Sequence, residues 1–462
     1  MLAAFGIYFC ILTAIGIFFY SRTKTSDDFI LGNRSVGYLV TAIATQASDM
    51  GPWLFLAFPA KIFTRGIPEI WTAIGLIVFM FLSWQFIAPK LRASTEDYHS
   101  MTLSSYFEQR FGDSSGVLRI LAAGISIIFF TFYISSSIVG LGRLFESAFG
   151  LNYHTGTLLG LGSAIIYTLI GGFVAVAWCD FFQGMFLLLM IVLVPTCAYF
   201  SLDGFSTIMA KAHEVNFSFS LLPSEGLLNA LLLAAGWGLG YFGQPHILVN
   251  FMGIDDTRKI NYAKYVGLTW LTIVLIASAM IGIVGVGYFG SSIEDSQLLF
   301  ITMTKNLFPS LIAGFVLCGI LAATLSTMDS HILISGSVLA EDLYKKVYNR
   351  QASSKTVVLA TRAGSIVVSL IALLIAQNNS ASIYDLVNYA WSGLGSSFGP
   401  LILVSLYSQR VTRLGALAGL IVGSGTSAVW PFFNTTVLPL VPGFGLGLLA
   451  IFLVSAISKK IE

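Results

Sequence analysis

Charged residues are scarce in this sequence. Asp, Glu, Lys and Arg together make up 10% of its 462 residues, against 56% for hydrophobic residues, and the mean hydropathy is +0.84. A soluble domain carries about 25% charged residues. The composition therefore excludes a soluble globular protein and predicts an integral membrane protein.

Paired cysteines, a strong charge imbalance and long hydrophilic stretches are missing as well. The four cysteines show no CxxC or Cys/His spacing, so neither a disulfide framework nor a metal site is indicated. A formal net charge of +2 indicates no nucleic-acid partner. No hydrophilic stretch is long enough for a separate soluble domain. The function must then lie in the membrane bundle, and no obligate protein partner is implied.

Long apolar runs are what the sequence has instead. A bilayer-spanning helix needs about 20 apolar residues. Thirteen segments qualify, namely 2–20, 36–60, 68–89, 117–147, 153–178, 181–202, 226–252, 264–290, 309–343, 358–377, 384–408, 412–431 and 438–458. The runs are continuous and do not alternate between apolar and polar residues as barrel strands do. The sequence predicts an all-α integral membrane protein with about 13 transmembrane helices.

The positive charges give this bundle an orientation. Arg22 and Lys24 directly follow the first segment, which lacks the flanks of a cleaved signal peptide, so we expect it to be retained with the N-terminus outside. Threading the chain from there places 19 of the 24 Lys and Arg residues on the cytoplasmic side and four outside, with Arg143 unassigned. This distribution follows the positive-inside rule and predicts a cytoplasmic C-terminus.

The second segment contains an interruption, QASDMGPW, at residues 46–53. Pro52 has no N–H to give the carbonyl of Ser48, and it disfavours helical geometry at Gly51. We therefore expect the helix to open around residues 47–51.

A second interruption, GWGLGYFGQPH, occupies residues 236–246. Four glycines precede Pro245, which deprives the carbonyl of Tyr241 of its partner. The two interruptions hold corresponding places in two five-helix halves. This arrangement is typical of transporters built from inverted repeats, whose binding site lies at the bilayer midplane. The alternative is that glycine and proline merely kink these helices, as they often do in membranes.

Asp49 is a carboxylate inside the first interruption. A charge at a helix centre costs about 2.5 to 3.5 kcal/mol on insertion scales, and intramembrane carboxylates generally face a cavity, an ion or a partner group. We expect a cation site here, with the carbonyls of Ala47 and Met50 as ligands, because hard cations prefer oxygen. A structural carboxylate that accepts from freed backbone N–H groups is the alternative, and the two roles are compatible.

A second set of oxygens lies in LAATLSTMDSH, at residues 321–331. Ser326, Asp329 and Ser330 stand at positions i, i+3 and i+4 of one helical face, with Thr327 adjacent. Hydroxyl groups in membrane helices often bond only to their own backbone. Four oxygens that include a carboxylate favour cation coordination instead.

Asp180 is a third acidic candidate. It lies near the predicted junction between the segments 153–178 and 181–202, where it would be only interfacial. Alternatively, it forms a second cation site with Asp329 and Ser330. The sequence leaves both interpretations open.

Three aromatic residues are candidates for a solute pocket. Tyr133, and Trp237 and Tyr241 in the second interruption, offer apolar faces with polar tips. Because the sequence holds 37 Phe, 18 Tyr and 8 Trp, any single aromatic residue is ordinarily packing. Only their position in the second interruption distinguishes Trp237 and Tyr241 from the other aromatic residues.

His246 is interpreted as an isolated residue at a helix end, since no nucleophile pattern accompanies it.

Two other function classes are the alternatives. An intramembrane hydrolase would need Asp49 and Asp329 within hydrogen-bond reach of one water, and no family motif supports it. A channel is the third option, and saturable, counterflow-competent uptake would count against it. We therefore expect a transporter and not an enzyme.

Eight stretches of the chain resemble the sodium/solute symporter family. They are DDFILGNRSVG (27–37), QASDM (46–50), RLFESAFG (143–150), GWGLGYFGQPHIL (236–248), ILAATLSTMDS (320–330), AEDLYK (340–345), YAWSGLGSSFGP (389–400) and GALAGLIVG (415–423). The resemblance covers essentially the whole chain, and GWGLGYFGQP is most similar to the proline carriers of that family.

The resemblance implies a LeuT-like fold with a 5+5 inverted-repeat core. Residues 1–35 would hold an extra helix and a cytoplasmic loop, 36–202 the first repeat, 203–408 the second repeat, and 409–462 two further helices. It also implies Na+-coupled uptake of L-proline by alternating access, in the cytoplasmic (inner) membrane of a bacterium. A Na+ symporter of another small organic solute, such as an imino acid, a sugar acid or a vitamin, is the alternative.

The resemblance also implies roles for particular residues. Na+ would be held by the carbonyls of Ala47, Met50 and Ala323 and the hydroxyls of Ser326 and Thr327, with Asp49 supporting the site. Proline would lie against Tyr133, Trp237, Tyr241 and Pro245. The chain departs from the best-known proline carriers at Asp329, where they have a small hydroxyl residue, which leaves the ion stoichiometry and proton coupling open.

Overall fold

The computed structural model describes residues 1–20, 25–378, 382–433 and 435–459, which form nineteen α-helices. They are α1 Leu2–Tyr20, α2 Ser26–Leu31, α3 Tyr38–Ala47, α4 Phe58–Arg65, α5 Ile70–Leu82, α6 Ala88–Asp97, α7 Leu103–Arg110, α8 Val117–Phe149, α9 Tyr153–Phe200, α10 Phe205–Glu214, α11 Leu227–Gly238, α12 Pro245–Gly253, α13 Ile260–Phe289, α14 Leu299–Leu307, α15 Ser310–Val338, α16 Ser354–Ala376, α17 Ile383–Tyr407, α18 Arg413–Val429 and α19 Leu440–Ser458. An isolated bridge between Val36 and Ile254 is the only strand-like pairing in the described residues. The all-α prediction is confirmed.

Short helical segments of other types join these helices. Three are π-helical, namely Trp53–Ala57, Ser83–Ile87 and Leu339–Tyr348. Six are 3₁₀ turns, namely Gly32–Arg34, Ile67–Glu69, Leu239–Phe242, Thr257–Lys259, Ser296–Leu298 and Trp430–Phe433. Each π segment continues directly from or into an α-helix, so that α5 and α6, for example, form one rod from Ile67 to Asp97.

Eight helical stretches of the described chain are long and apolar enough to cross a membrane. They are Ile67–Asp97, Val117–Phe149, Gly171–Phe200, Thr257–Phe289, Ser310–Tyr348, Ser354–Ala376, Arg413–Phe433 and Leu440–Ser458. Leu2–Phe18 and Leu227–Phe242 are shorter apolar helices. A multi-pass membrane protein is therefore confirmed, whereas the count of thirteen spans stays a prediction.

Both predicted interruptions are present. Helix α3 ends at Ala47, residues 48–50 form a turn, and helical structure resumes at Gly51 and runs through Trp53–Ala57 into α4. Helix α11 is followed by the 3₁₀ turn Leu239–Phe242, and α12 starts afresh at Pro245. Proline suits this first helical position because its missing N–H would have no intrahelical partner there.

The predicted boundary between segments 153–178 and 181–202 is wrong. Helix α9 bends at Gly172 instead, where φ is 66° and ψ is −171°. Glycine alone adopts this conformation readily, and a Cβ at this position would come within 3.0 Å of the Phe29 ring. Asp180 therefore lies about two turns inside a helix and is fully buried, so the interfacial interpretation of this residue is wrong as well.

Helix α15 is the central rod of the bundle. Every residue from Val316 to Val338 is buried, and the helix packs against α1, α8, α9 and α16. It continues as the π segment Leu339–Tyr348 beyond the predicted end at residue 343. Residues on all sides of α15 are thus available for interior contacts and none faces lipid along this stretch.

The connections gather at two ends of the bundle, as the threading predicts. At the end that we call the basic end, Arg34 donates to the carbonyl oxygen atoms of Met252 (2.7 Å) and Ser100 (3.0 Å), and Arg92 donates to that of Ile254 (2.8 Å). These bonds link three predicted cytoplasmic connections, because Arg34 lies in the first, Arg92 and Ser100 lie in the second, and Met252 and Ile254 lie where the third begins. Arg22, Lys24 and Lys460, which the threading also assigns to this side, lie outside the described residues.

The opposite end holds the few remaining basic residues. Lys305 donates to the carbonyl oxygen of Ser147 at 2.9 Å. Arg143, which the sequence left unassigned, lies 3.6 Å from the Asp295 carboxylate at the same end. Arg143 and Ser147 both belong to the last turns of α8, so Lys305 and Arg143 lie at the same end of this helix.

Candidate functional site

The first interruption meets α15 through hydroxyl groups. Ser326 Oγ donates to the carbonyl oxygen of Ala47 at 2.9 Å and to that of Ala323 at 3.0 Å, and Thr327 Oγ1 lies 3.5 Å from the Ala47 oxygen. In an unbroken helix the Ala47 carbonyl would accept from the N–H of Gly51. The interruption frees this carbonyl, and the hydroxyl groups of α15 converge on it.

Glycine allows this close approach. A Cβ on Gly51 would lie 3.2 Å from Thr327 Oγ1, tighter than ordinary van der Waals contact. Met50 is buried in the same turn, although the hydrogen bonds of Ser326 go to Ala47 and Ala323 and not to it. Four of the five predicted Na+ ligands are thus joined directly, and the fifth lies in the turn between them.

Asp49 links the two interruptions. Its Oδ2 accepts a 2.7 Å hydrogen bond from the Tyr241 hydroxyl, and its Oδ1 lies 3.5 Å from Nε2 of His246. All three residues are buried. The carboxylate therefore has partners from the second interruption, and the interpretation of His246 as isolated is wrong.

Two histidines form a cluster that sequence reasoning missed. The rings of His246 and His331 are perpendicular with centroids 4.4 Å apart, and Tyr133 lies 4.3 Å from His331 and 5.9 Å from His246. The sequence contained one indication of this position. His331 follows Thr327 by one helical turn and therefore lies on the same face of α15 as this proposed ion ligand. His246 directly follows Pro245, at the start of α12.

Aromatic side chains surround the second interruption. Trp391 of α17 donates its Nε1–H to the carbonyl oxygen of Trp237 at 2.8 Å and meets the Tyr241 ring edge-on at 5.3 Å. Trp53 and Tyr384 lie 5.3 Å and 5.5 Å from the Trp237 ring. Of these, only Trp237 and Tyr241 were singled out from the sequence, because Trp53, Tyr384 and Trp391 approach them only through the fold.

Pro245 lies toward the basic end of this region. It lines a narrow cavity of about 20 Å³ together with Thr102, Ile334 and Ser337. The four predicted solute residues are therefore spread along the second interruption, with Tyr133 of α8 beside it. Trp237 lies toward the opposite end, Tyr241 beside Asp49, Tyr133 beside the histidines, and Pro245 toward the basic end.

A second cluster of oxygens joins α9 to α15. Ser330 Oγ donates to Asp180 Oδ2 at 3.1 Å, and the carboxyl groups of Asp180 and Asp329 are close enough for a hydrogen bond between them. All three residues are buried. Two neighbouring carboxylates in a low-dielectric interior require a bound cation or a shared proton. The structure thus brings together the three residues of the candidate second site.

A cavity of about 540 Å³ opens at the opposite end. Arg65, Glu69, Asn229 and Tyr384 are among its lining residues. Tyr384 also contacts the Trp237 ring. One aromatic layer therefore separates this cavity from the aromatic part of the site.

Comparison with known proteins identifies the family. The model of the sodium:solute symporter family matches residues 29–423. The chain belongs to this family. The resemblance seen in the sequence is confirmed, and with it the expectation of a Na+-coupled symporter and not an enzyme.

Relatives in this family match nearly the full chain. The high-affinity proline transporter PutP of Bacillus subtilis is 39% identical over 452 residues, which cover 96% of this chain and 95% of the relative. The sodium/proline symporter of Escherichia coli is 39% identical over 469 residues, which cover 99% and 93%. A solved structure of a Na+-coupled sialic acid symporter, in a substrate-bound outward-open state, aligns with a TM-score of 0.83 at 19% identity and covers 99% of this chain and 97% of that one. The last match confirms the LeuT-like fold.

Proposed function

We propose that this symporter couples the uptake of L-proline to Na+ by alternating access. The hydrogen bond from Ser326 to the freed carbonyl of Ala47 carries the proposal, because it brings hydroxyl and carbonyl oxygens together without a formal charge. Such hard oxygen ligands suit Na+. The ion would be held by the set predicted from the sequence, namely Ala47, Met50, Ala323, Ser326 and Thr327, with Asp49 supporting the site electrostatically.

The solute is assigned from the relatives and from the aromatic residues. Relatives at 39% identity over nearly the whole chain are named proline transporters. Tyr133, Trp237, Tyr241 and Pro245 supply apolar faces for a pyrrolidine ring. The interruption itself supplies backbone groups for the amino and carboxyl groups of the solute.

Coupling follows from the connection between the two interruptions. Na+ that bridges Ala47 and Ser326 ties the first interruption to α15. The bond between Asp49 and Tyr241 then holds the second interruption in the geometry that receives the solute. Because both ligands favour the same conformation, each must increase the affinity for the other by the same factor.

A second cation is proposed at Asp180, Asp329 and Ser330. The buried carboxylates of Asp180 and Asp329 concentrate negative charge beside the hydroxyl of Ser330. Occupation by Na+ would neutralise this charge and add a second coupled ion. A proton that the two carboxyl groups keep throughout the transport cycle would do so without a second Na+, and counting the charges moved per solute distinguishes these two cases.

We further propose the orientation that the basic residues predict. The N-terminus would lie outside and the basic end would face the cytoplasm of a bacterial cell. Residues 36–202 and 203–408 would form the two repeats. Inward movement of Na+ is then driven by about 2.3 kcal/mol per charge for each 100 mV of membrane potential. The cavity beside Tyr384 would be the external entrance.

Uptake of radiolabelled L-proline into proteoliposomes tests the proposal. We expect accumulation only with an inward Na+ gradient, and we expect Ser326→Ala to raise the Na+ concentration for half-maximal uptake by about tenfold or more, as loss of a ligand to a charge does. Ser424→Ala is the control, because Ser424 lies in α18 and donates to the carbonyl oxygen atoms of Leu420 and Ile421 in its own helix. Protein that binds Na+ but accumulates no proline would refute the assigned solute and retain the ion site.

A further inference from the structure

His331 lies where α8, α12 and α15 meet. Its side chain is fully buried, and its ring contacts are with Tyr133 at 4.3 Å, Phe130 at 4.9 Å and His246 at 4.4 Å between centroids. Tyr133 and Phe130 come from α8 and His246 from α12. The imidazole is therefore fixed in place by rings from two other helices.

Both ring nitrogens of His331 are without a hydrogen-bond partner among the described residues. A neutral imidazole carries one N–H donor and one acceptor nitrogen, and a buried polar group is unfavourable unless it is paired. Ser326, Ser330 and Ser337 of the same helix each donate to an oxygen. His331 thus presents an unused donor and an unused acceptor in the interior of the candidate site.

The spacing along α15 places His331 beside the proposed ion ligands. His331 follows Thr327 by four residues, so both side chains lie on one helical face, with a separation of about 6 Å along the axis. Thr327 approaches Gly51 and the carbonyl of Ala47. One face of α15 therefore offers cation ligands and, one turn later, a neutral N–H donor.

Charge determines which part of a zwitterionic solute this donor meets. The Asp49 carboxylate accepts from Tyr241, and its second oxygen faces His246 at 3.5 Å. A secondary ammonium group is attracted to Asp49, and a carboxylate is repelled by it. The carboxylate of the solute is thereby directed away from Asp49, toward the imidazole of His331, whose ring contacts among the described residues are with Phe130, Tyr133 and His246.

We propose that His331 donates a hydrogen bond to the carboxylate of the transported imino acid and so selects solutes that carry a free carboxylate. The inference rests on the proposed function and names the side chain that recognises the solute's acidic group. His246 acts as a positioning residue, because it contacts Asp49 on one side and the His331 ring on the other.

The test compares L-proline with L-prolinamide, which keeps the ring and the secondary amine but lacks the carboxylate. Both are used as competitors of radiolabelled proline uptake, in proteoliposomes that contain wild-type, His331→Gln or His331→Leu protein. We expect His331→Leu to raise the KM for proline by about 10- to 100-fold, as loss of a hydrogen bond to a charged group does. The preference for proline over prolinamide should fall by the same factor. His331→Gln keeps a neutral N–H donor and should lie between wild type and His331→Leu.

Two further measurements identify a merely structural effect. Binding of ²²Na+ without proline should be the same in wild type and both variants, because His331 is not an ion ligand. His213→Leu is the matched control for replacing a histidine, since His213 is exposed in α10, and it should leave KM and preference unchanged.

Three results would overturn the inference. The first is an unchanged proline KM in both His331 variants. The second is an equal weakening of proline and prolinamide in His331→Gln, with the preference preserved, which would show that the ring only packs or holds a water. The third is wild-type protein that takes up no proline, which would refute the proposed function and this inference with it.

Discussion

The hydroxyl of Tyr241 donates a 2.7 Å hydrogen bond to Oδ2 of Asp49, although 192 positions separate the two residues. Asp49 lies in the first interruption and Tyr241 in the second. Both side chains are buried, where a hydrogen bond to a carboxylate is stronger than it is in water. This one bond connects the candidate ion ligands with the candidate solute pocket.

Tyr241→Phe should therefore weaken Na+ activation and proline uptake together. Loss of a hydrogen bond to a charged group costs about 1.5 to 3 kcal/mol, which corresponds to about tenfold or more in each affinity. The measurements are the Na+ concentration for half-maximal uptake and the KM for proline. Tyr153→Phe is the control, because the Tyr153 hydroxyl donates to the carbonyl of Ala376 at the opposite end. A change in only one of the two parameters would contradict the proposed connection.

Gly51→Ala should reduce Na+ affinity without unfolding the protein. The new Cβ would lie 3.2 Å from Thr327 Oγ1, so the interruption and α15 must separate by a few tenths of an ångström. We expect the Na+ concentration for half-maximal uptake to rise by about three- to tenfold, the cost of imperfect ligand geometry. Gly124→Ala in α8, where a Cβ would meet nothing within 4 Å, should leave Na+ affinity unchanged. Equal Na+ affinities in the two variants would show that the separation of these elements is not critical.

Asp180→Asn should change the number of charges that move with each proline. The substitution keeps the size of the side chain and removes one of two adjacent buried carboxylates. If a second Na+ binds there, the ratio of charge to proline, measured from reversal potentials in proteoliposomes, should fall by about one. Ser330→Ala should act in the same direction, because Ser330 donates to Asp180. An unchanged ratio in Asp180→Asn would indicate a shared proton and a single coupled Na+.

Asp113 at the basic end should contribute stability that is lost in acid. Burial by itself raises the pKa of Asp113, but hydrogen bonds from Ser115 and the Leu118 N–H, together with Arg413, lower this pKa below its ordinary value. A lowered pKa means that the stabilisation is complete above about pH 4 and disappears as the pH falls through the lowered pKa.

Thermal unfolding in detergent checks this expectation. Asp113→Asn should have a lower melting temperature than wild type at pH 7, and the difference should begin to shrink below about pH 4 and disappear once the pH falls below the lowered pKa of Asp113. Asp97→Asn, which alters an exposed carboxylate in α6, should unfold like wild type at both pH values. A difference between Asp113→Asn and wild type that stays constant down to pH 3 would contradict an electrostatic origin.

The sequence could predict those features that depend on residues close together in the chain. Pro52 and Pro245 act on the residues beside them, so both interruptions were located from the sequence. Ser326 and Thr327 were found because helical spacing is also local. The bend at Gly172 was missed, because many glycines in this sequence occur within regular helix and nothing local sets this one apart.

The histidine cluster was missed for a different reason. The contacts of His246 with Asp49 and His331 connect α12 with the turn at residues 48–50 and with α15, and the distances between these residues along the chain do not indicate that they meet. The family resemblance supplied Ala323, which has no distinguishing side chain. It did not supply His331, because the resemblance brought in only residues that match the family's known pattern.

The π-helical turn Trp53–Ala57 has a consequence for movement near the site. A π turn holds one residue more than an α turn and is closed by bonds from i to i+5. When such a turn migrates along its helix, each residue that it passes rotates by about 100° while the backbone stays hydrogen-bonded. The turn begins at Trp53, whose ring contacts Trp237 and stacks on Phe58. The helix that follows the first interruption can therefore turn a large aromatic side chain away from the solute pocket without unfolding.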